Sequence, residues 1–427
     1  MARPVSRLRL AVLAGAAGLT LAGCGGDGGS DGPITLQVFG DPEETRVYKE
    51  IAAAYKKQGG GQVEVIEVAD RKAHQQKLTT GFGSGNPPDA FLVNYRNFGG
   101  FADRGVLDPV GPRLQASDVL DAGAFYSQAM DAFAFEGQLR CMPQNVSSLV
   151  VYYNRDAFRE AGLEDPAGDW TYTDLIAAAT KLKDADRDRD ALGVEGEIIK
   201  LAPFVWSAGG ELVDDEQNPT GFTLDSPEAR AGVRAFFRLA QFSPTDVEVE
   251  SRPVEERFIS GQLAMLMSSR RDVPLFRTIK EFDWDVAPFP PLTTPATILH
   301  SDAYCISKGE GADGAWRFVE FAAGPEGQRI AARGGRTVPS LRSVAESADF
   351  LNPKAKPASS QVFLDAIPAI RRVPNTPSWS LVEDAGNMVT EEAFFEAPAA
   401  ESLREVAEEY ARNLNRATAS AFRGGKP

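Results

Sequence analysis

The pattern that most limits how this chain can fold lies in its first hundred residues. Ile34-Thr-Leu-Gln-Val-Phe39 alternates as a strand, and Gly40-Asp41-Pro42 stops it. Glu43 to Lys57 then repeats apolar residues at Val47, Ile51 and Tyr55, with acids in the first turn, which predicts a helix. Val63 to Val68 reads as a second strand, Lys72 to Gly81 as a helix and Ala90 to Val93 as a third strand. Strand, helix, strand, helix, strand at this pitch predicts an α/β lobe with a parallel sheet. Ligands of such sheets sit beyond the carboxyl ends of the strands, so the loops at Gly40-Asp41 and Asn94-Tyr95-Arg96-Asn97 are expected to face a crevice.

Downstream, Gly137 to Pro143 reads as a short strand stopped by proline and Ser147 to Tyr153 as an apolar strand. Thr171 is placed to cap a helix from Tyr172 to Lys183. The second half is richer in helices, over Pro227 to Gln241, Val254 to Gly261, Ala312 to Ala323, Pro325 to Arg333, and Glu383 to Arg416 with one break. No internal repeat is visible.

With 427 residues there is chain enough for two or three domains. The N-terminus reads as an address. Arg3, Arg7 and Arg9 precede an apolar run from Leu10 to Leu21, too short for a stable membrane span and suited to a signal-peptide core. The run ends in Leu21-Ala22-Gly23-Cys24, a bacterial lipoprotein-like processing site at which Cys24 is lipidated and becomes the mature N-terminus. Gly25 to Gly32 then forms a flexible Gly/Asp/Ser tether. The formal charge is −15, and loss of the three leader arginines takes it to −18. An acidic surface of that size repels phosphate backbones and anionic lipid heads, so no nucleic-acid partner is expected, and membrane contact only through the lipid anchor. With two histidines and three cysteines, His-rich and four-cysteine metal sites are ruled out. Export leaves Cys141 and Cys305 free either to pair or to stand as two small buried side chains.

A series of landmarks in order along the chain then resembles a known family. Pro88-Asp89 leads through a strand and the Asn94 to Asn97 loop to Phe98-Gly99-Gly100, followed by Gly105-Val-Leu-Asp-Pro109. Pro143, Tyr153-Asn154, Phe158 and Ala161-Gly162-Leu163 come next, with Trp170-Thr171 at a helix start and Gly209-Gly210 before an acidic turn. Phe258-Ile-Ser-Gly261-Gln-Leu-Ala264-Met265, the segment Ala315 to Phe321, Pro325-Glu326-Gly327 and Pro339 complete the set. Together they resemble the extracellular solute-binding proteins of bacterial ABC importers, in the carbohydrate-binding group typified by the maltodextrin-binding protein. The resemblance implies two α/β lobes of the type II periplasmic-binding-protein fold, joined by a hinge around an interlobe ligand cleft. It divides the chain into leader 1–23, tether 24–32, one lobe of 33–142 plus 305–358 and another of 143–304 plus 359–427. It also places Cys141 and Cys305 where the chain crosses between lobes, and neighbouring hinge strands there bring a disulfide within reach.

Sugars offer polar rims and C–H faces, so their sites combine planar hydrogen-bonding side chains with flat aromatic surfaces. By the resemblance, Asp41 falls in the first binding loop and Asn94, Tyr95, Arg96 and Asn97 in the second, while Asn145 and Ser147 follow Pro143 into the second lobe. Trp206 before Gly209-Gly210 and Trp379 after Pro374-Asn375-Thr-Pro377 lie in predicted loops and are expected to stack on the ligand. Trp170, Trp284 and Trp316 are expected in the core. The sharpest departure is Arg271, standing where the maltodextrin binders carry a stacking tryptophan; an arginine still stacks and adds a bidentate fork, for vicinal hydroxyls or an acidic sugar's carboxylate. Ser301 and Asp302 before the hinge strand are further candidates, with His300, Arg336, Arg371 and Arg372 behind them, while His74 on a polar helix is given no special role.

One more constellation carries chemistry. Asp184, Asp186, Asp188, Asp190 and Glu195 fall at positions 1, 3, 5, 7 and 12 of a calcium-loop spacing, but Arg189 stands where that loop wants glycine. The expectation is thus a monomeric substrate-binding subunit that captures a carbohydrate for an ABC permease, with no cofactor and no catalysis. Its rivals are a binder of an organic acid, glycerophosphodiester or polyamine, and an exported glycosidase using paired carboxylates.

Overall fold

The structure is a computed structural model that describes residues 32–399 and 402–424. Lipidation at Cys24 lies outside the described residues. Strand β1 (Ile34–Phe39) is followed by helix α1 (Pro42–Lys57), β2 (Val63–Val68), α2 (Arg71–Ser84), β3 (Ala90–Asn94), α3 (Tyr95–Asp103) and β4 (Leu107–Asp108). Helix α1 begins where the sequence puts Pro at its first position and a reciprocal cap across Asp41 and Glu44, and it buries Val47, Tyr48, Ile51 and Tyr55 along one face. β1 pairs in parallel with both β2 and β3. The later strand Asp302–Ser307 inserts antiparallel between β3 on one side and β4 and Met142–Pro143 on the other, completing a six-stranded sheet.

A second, smaller sheet carries the other lobe. Val150–Asn154 is its central strand, flanked antiparallel by Trp284–Ala287 and Met265–Ser268. Residues Asp190 to Gly193 run parallel alongside Leu263 to Leu266 and extend this layer. Helices Ile198–Ser207, Pro227–Arg238, Trp379–Glu396 and Leu403–Phe422 pack around it. Among the described residues no helix is long and apolar enough to cross a membrane.

The lobes are joined by segments lying side by side. Ser147 and His300 exchange both backbone hydrogen bonds, at 3.0 and 2.8 Å, and Val146 N–H donates to Val338 O at 3.0 Å. The strand Asp302–Ser307 belongs wholly to the larger sheet, so the chain has already re-entered that lobe at Asp302, earlier than the expected break at 304/305. Cys141 and Cys305 form a disulfide. They face each other one step beyond the pairs Met142–Tyr304 and Pro143–Ala303, with Cα atoms 4.5 Å apart, the spacing of a non-hydrogen-bonded antiparallel pair. The bond therefore lies inside the larger sheet rather than at the crossing itself.

Candidate functional site

The parallel strands of the larger sheet all end at the same edge, and each end delivers a polar residue to it. β1 runs out at Gly40-Asp41, β2 at Asp70-Arg71 and β3 at Asn94-Tyr95-Arg96. From the other side, the strand at Asp190 to Gly193 delivers Glu195, Glu197 and Lys200, and the strand Met265–Ser268 delivers Arg271. These two edges face each other across the hinge and form a charged cleft. Arg271 and Glu195 keep 42% and 37% of their side chains exposed while protein surrounds them, as a deep cleft requires.

Lys356 and Asp283 pair between the lobes, and two further interlobe ion pairs lie at the cleft. Arg271 Nε lies 3.1 Å from Glu44 Oε1 on α1, and Arg96 on α3 pairs with Glu383 on the helix Trp379–Glu396. Lys200 is buried between Glu195 Oε2 at 3.1 Å and Met267 O at 3.0 Å. Burial works against its charge, but Glu195, Glu197 and Glu255 together hold its pKa above the ordinary lysine value. Arg336 lies beneath the cleft against Asp302 at 3.4 Å and Tyr48 Oη at 3.3 Å, over the rings of Phe39 and Tyr48. Several buried atoms around this space have no protein hydrogen-bond partner: Arg71 Nε, Arg96 Nη2, Arg336 Nη2, Glu383 Oε2 and His300 Nε2.

Burial, reinforced by the neighbouring guanidinium groups of Arg96 and Arg271, lowers Arg71 to about 10. Burial, then repulsion from Glu195, raises the Glu197 carboxyl to about 7; burial, then Glu195 and Asp272, raises Glu255 to about 8. His300 is driven well below its ordinary value by burial and the surrounding cations, so its ring is neutral.

The sequence-based candidates divide sharply. Arg96 and Arg271 line the cleft, and Asn97 is half-buried on α3 one residue beyond Arg96. Asp41 caps α1, its Oδ1 accepting Glu44 N–H at 2.9 Å. The expected second loop is helical from Tyr95 onward because Asn94 supplies an N-cap, and Tyr95 turns into the core with no exposed surface. Asn94 holds Asp302 through Nδ2 at 2.9 Å. Asn145, Ser147, Ser301 and Asp302 knit the hinge instead of reaching outward: Asn145 Nδ2 donates to His300 O at 2.8 Å, Asn145 Oδ1 accepts Asp302 N–H at 2.8 Å, and Ser301 Oγ donates to Asn145 O at 2.5 Å. Ser147 Oγ accepts from Asn145 Nδ2 at 3.1 Å.

Neither candidate stacking tryptophan is in a loop. Trp206 lies on the helix Ile198–Ser207, which continues past Pro203, and it is 4% exposed under the Arg371 guanidinium 4.9 Å from its ring. Arg371 is held there by Glu211 at 2.6 Å and Glu216 at 3.0 Å. Trp379 opens its helix after the N-cap Ser378, which follows Pro377, and packs fully buried against Phe222 and Phe422. Trp170, Trp284 and Trp316 are buried as well. His74, assigned no special role on a polar helix, is a buried strut. Its Nε2–H donates to Leu92 O at 2.7 Å and Nδ1 accepts from Gln37 at 3.1 Å.

The calcium-loop carboxylates do not converge. Asp186 accepts Asp188 N–H at 3.0 Å in a local turn, Asp190 is bonded to Arg257 at 2.7 Å, and Glu195 belongs to the cleft with Lys200. The loop opens because its residues from Asp190 onward are drawn into the sheet, carrying Glu195 away from Asp184. Among the described residues no three His, Cys, Asp or Glu side chains are grouped to hold a metal.

The sequence reading missed Arg71, Glu44, Glu197, Lys200, Glu255 and Glu383. Arg71 was within reach, since it follows the end of β2 as Asp41 follows β1. The others sit on helices whose cleft-facing side only the tertiary structure reveals.

A profile of the family described as bacterial extracellular solute-binding protein matches residues 41–329. A maltooligosaccharide ABC transporter solute-binding lipoprotein of Streptococcus pneumoniae is 23% identical over 87% of this chain and 89% of its own. Among solved structures, an ABC substrate-binding protein of Listeria monocytogenes in complex with cycloalternan superposes with a TM-score of 0.79 at 24% identity, covering 90% of this chain and 98% of that one. The maltotriose-binding protein of Thermus thermophilus bound with maltotriose gives 0.71 at 19% identity, over 90% and 99%.

Proposed function

Because the chain belongs to the bacterial extracellular solute-binding proteins, we propose that it is the substrate-binding subunit of an ABC importer, capturing a sugar or oligosaccharide outside the cell membrane and passing it to a permease. The observation that carries this reading is the cleft, where buried polar atoms from both lobes lack protein partners. Each such atom costs about 1–3 kcal/mol until something bonds to it. A hydroxyl-rich ring supplies donors and acceptors in the required density, and one that bonds to Arg96 and Arg271 at once favours the closed arrangement of the lobes. The relatives support the sugar over other solutes: the pneumococcal protein is named for maltooligosaccharides and the Listeria structure holds cycloalternan.

In this reading Arg71, Arg96, Asn97, Lys200, Arg271 and Glu383 meet the ligand, and no bond in it is cleaved. The lobe with the six-stranded sheet comprises residues 33–142 and 302–358, and the lobe with the three-stranded sheet 143–301 and 359–427. Cys24 carries a lipid, residues 24–32 tether the body to the membrane, and the protein works as a monomer. If Cys24→Ala leaves the protein in the membrane fraction, the anchor is wrong.

A thermal-shift screen against mono- and oligosaccharides, with organic acids, glycerophosphocholine and polyamines as separate arms, tests the reading. A ligand at a hundred times its Kd stabilises the native state by about 2.7 kcal/mol, a shift of several degrees. Stabilisation by a non-sugar solute alone overturns the sugar assignment, and release of shorter sugars on prolonged incubation overturns the binding role.

A further inference from the structure

Four arginines are buried among the described residues, and three of them have a carboxylate: Arg96 has Glu383, Arg257 has Asp190 and Arg336 has Asp302. Arg270 is the exception. It is the most deeply buried of the four, at 1% exposure, and it forms no ion pair among the described residues. Its guanidinium lies instead between two rings, with Cζ 4.3 Å from the centre of Phe350 and 4.9 Å from that of Phe363. Nη1 donates to Ser360 Oγ at 3.2 Å, and the buried Nε has no partner. Burial lowers its pKa to about 9, so the group stays charged at neutral pH. Two ring faces and one hydroxyl offset only part of the loss in stability from desolvating a cation that has no counter-charge. A methionine fits between two phenyl rings without that penalty, so packing alone does not account for an arginine here.

The account lies in what the side chain holds still. Arg270 opens the short 3₁₀ turn Arg270–Asp272, just after the strand Met265–Ser268. Successive side chains on such a turn point about 120° apart. With Arg270 directed into the protein, Arg271 emerges at the cleft, its Nε 3.1 Å from Glu44 Oε1. Fixing the plane of the Arg270 guanidinium therefore fixes the rotation of the turn, and with it the direction of Arg271. The two rings are held by different lobes. Phe350 follows Asp349, which pairs at 2.9 Å with Arg333 on the helix Pro325–Gly334, itself packed against α1. Phe363 follows Ser359, whose N–H and Oγ donate at 3.0 and 2.9 Å to Asp285 on a strand of the three-stranded sheet.

We infer that Arg270 is a positioning residue for the cleft: stacked between a ring from each lobe, it aims Arg271 at Glu44 and at the ligand, at the expense of stability. The inference rests on the reading of the cleft as the ligand site, and on nothing about which solute enters it.

The test compares the unliganded wild type with Arg270→Met, Arg271→Ala and the double variant, and with Ser360→Ala as a milder change. Arg270→Met should melt no lower than the wild type, because methionine keeps contact with both rings and removes the buried charge. The Arg271 Nε–H resonance of ¹⁵N-arginine-labelled protein, identified by its absence in Arg271→Ala, should nevertheless move toward the position of free arginine. Ser360→Ala should move it the same way by less. In small-angle scattering, Arg270→Met should expand as far as Arg271→Ala, and the double variant no further, because the first residue acts through the second. If Arg270→Met leaves the Arg271 resonance in place, or lowers the melting temperature, Arg270 is only a core residue and the inference is overturned. Additive expansion in the double variant overturns it as well, and where Arg271→Ala does not expand the protein at all, the resonance alone decides. No ligand enters these measurements, so the sugar reading can fail in the thermal-shift screen while this inference stands, and the reverse.

Discussion

Arg271 and Glu44 join the two lobes directly, the guanidinium Nε of one lying 3.1 Å from the carboxylate of the other. Glu44 is buried and Arg271 is 42% exposed, so solvent screens the pair from one side and its net worth is about 0.5–1 kcal/mol. Against a closed state only slightly preferred, that amount shifts the population severalfold. Arg271→Ala should therefore raise the radius of gyration of the unliganded protein in small-angle X-ray scattering, and 0.5 M sodium chloride should do the same to the wild type. No expansion in either would mean the lobes are held by other contacts.

The acid side of the cleft makes stability depend on pH in a defined direction. Glu197 faces Glu195, Lys200, Arg96 and Glu383; Glu255 faces Glu195, Asp272, Arg271 and Lys200. Their folded pKa values, about 7 and about 8, lie above those of the unfolded chain, so the fold holds extra protons in between. The associated stability is fully present at low pH and is lost as pH rises through 7 and 8. The melting temperature of the unliganded protein should fall from pH 5.5 to 8.5, and the double variant Glu197→Gln/Glu255→Gln should flatten that slope.

Gly99 on α3 is required by contact rather than by turn geometry. A Cβ there would approach Asn375 O to 2.1 Å and the Thr376 carbonyl to under 3 Å, both backbone atoms that cannot swing aside. Gly99→Ala should cost about 1–3 kcal/mol in denaturant unfolding. It pushes away the segment leading to Trp379 and Glu383, so ligand affinity should fall with stability, unlike the effect of a remote core substitution.

Trp379 separates packing from binding. Its indole N–H is buried without a partner, at a cost of about 1–3 kcal/mol that Phe does not bear. This offsets much of the packing lost in Trp379→Phe. That variant should keep its stability to within about 1 kcal/mol and its sugar affinity to within about twofold. A tenfold loss of affinity would return the ring to the ligand.

The disulfide spans 164 residues of sequence, for which the loop-entropy relation gives a ceiling of about 5 kcal/mol, with 2–4 typical of measured cases. Cys141→Ser/Cys305→Ser should lower the free energy of unfolding by about 2–4 kcal/mol, seen as a lower melting temperature that no longer responds to reductant. Because the bond is internal to one sheet, the expansion between unliganded and liganded forms in scattering should be unchanged.

The first lobe was legible because periodicity and local caps decide it. Ile34–Phe39 and Val63–Val68 have the same ends in sequence and structure, and Asp41-Pro42 with Glu44 marks the start of α1. The site was much less so. Asn145 and Ser301 have the chemistry to meet a sugar, yet hinge backbone groups claim their hydrogen bonds first. Trp206 and Trp379 were misplaced for a different reason: prolines beside them suggested loops, where in fact one helix continues past Pro203 and another starts soon after Pro377. Glu197 and Glu255 carried no local signal at all, since their importance comes from charge balance across residues far apart in sequence.

The link between Cys141 and Cys305 turns the intervening chain into a closed ring that contains every strand of the smaller sheet. A protein exposed to extracellular proteases gains from this a tolerance of cuts. A single nick anywhere in that ring opens it without producing a second molecule. The severed ends stay attached through the six-stranded sheet and through packing within the lobe that carries the three-stranded one. Such a nicked form would migrate as an intact chain without reductant and as two pieces with it.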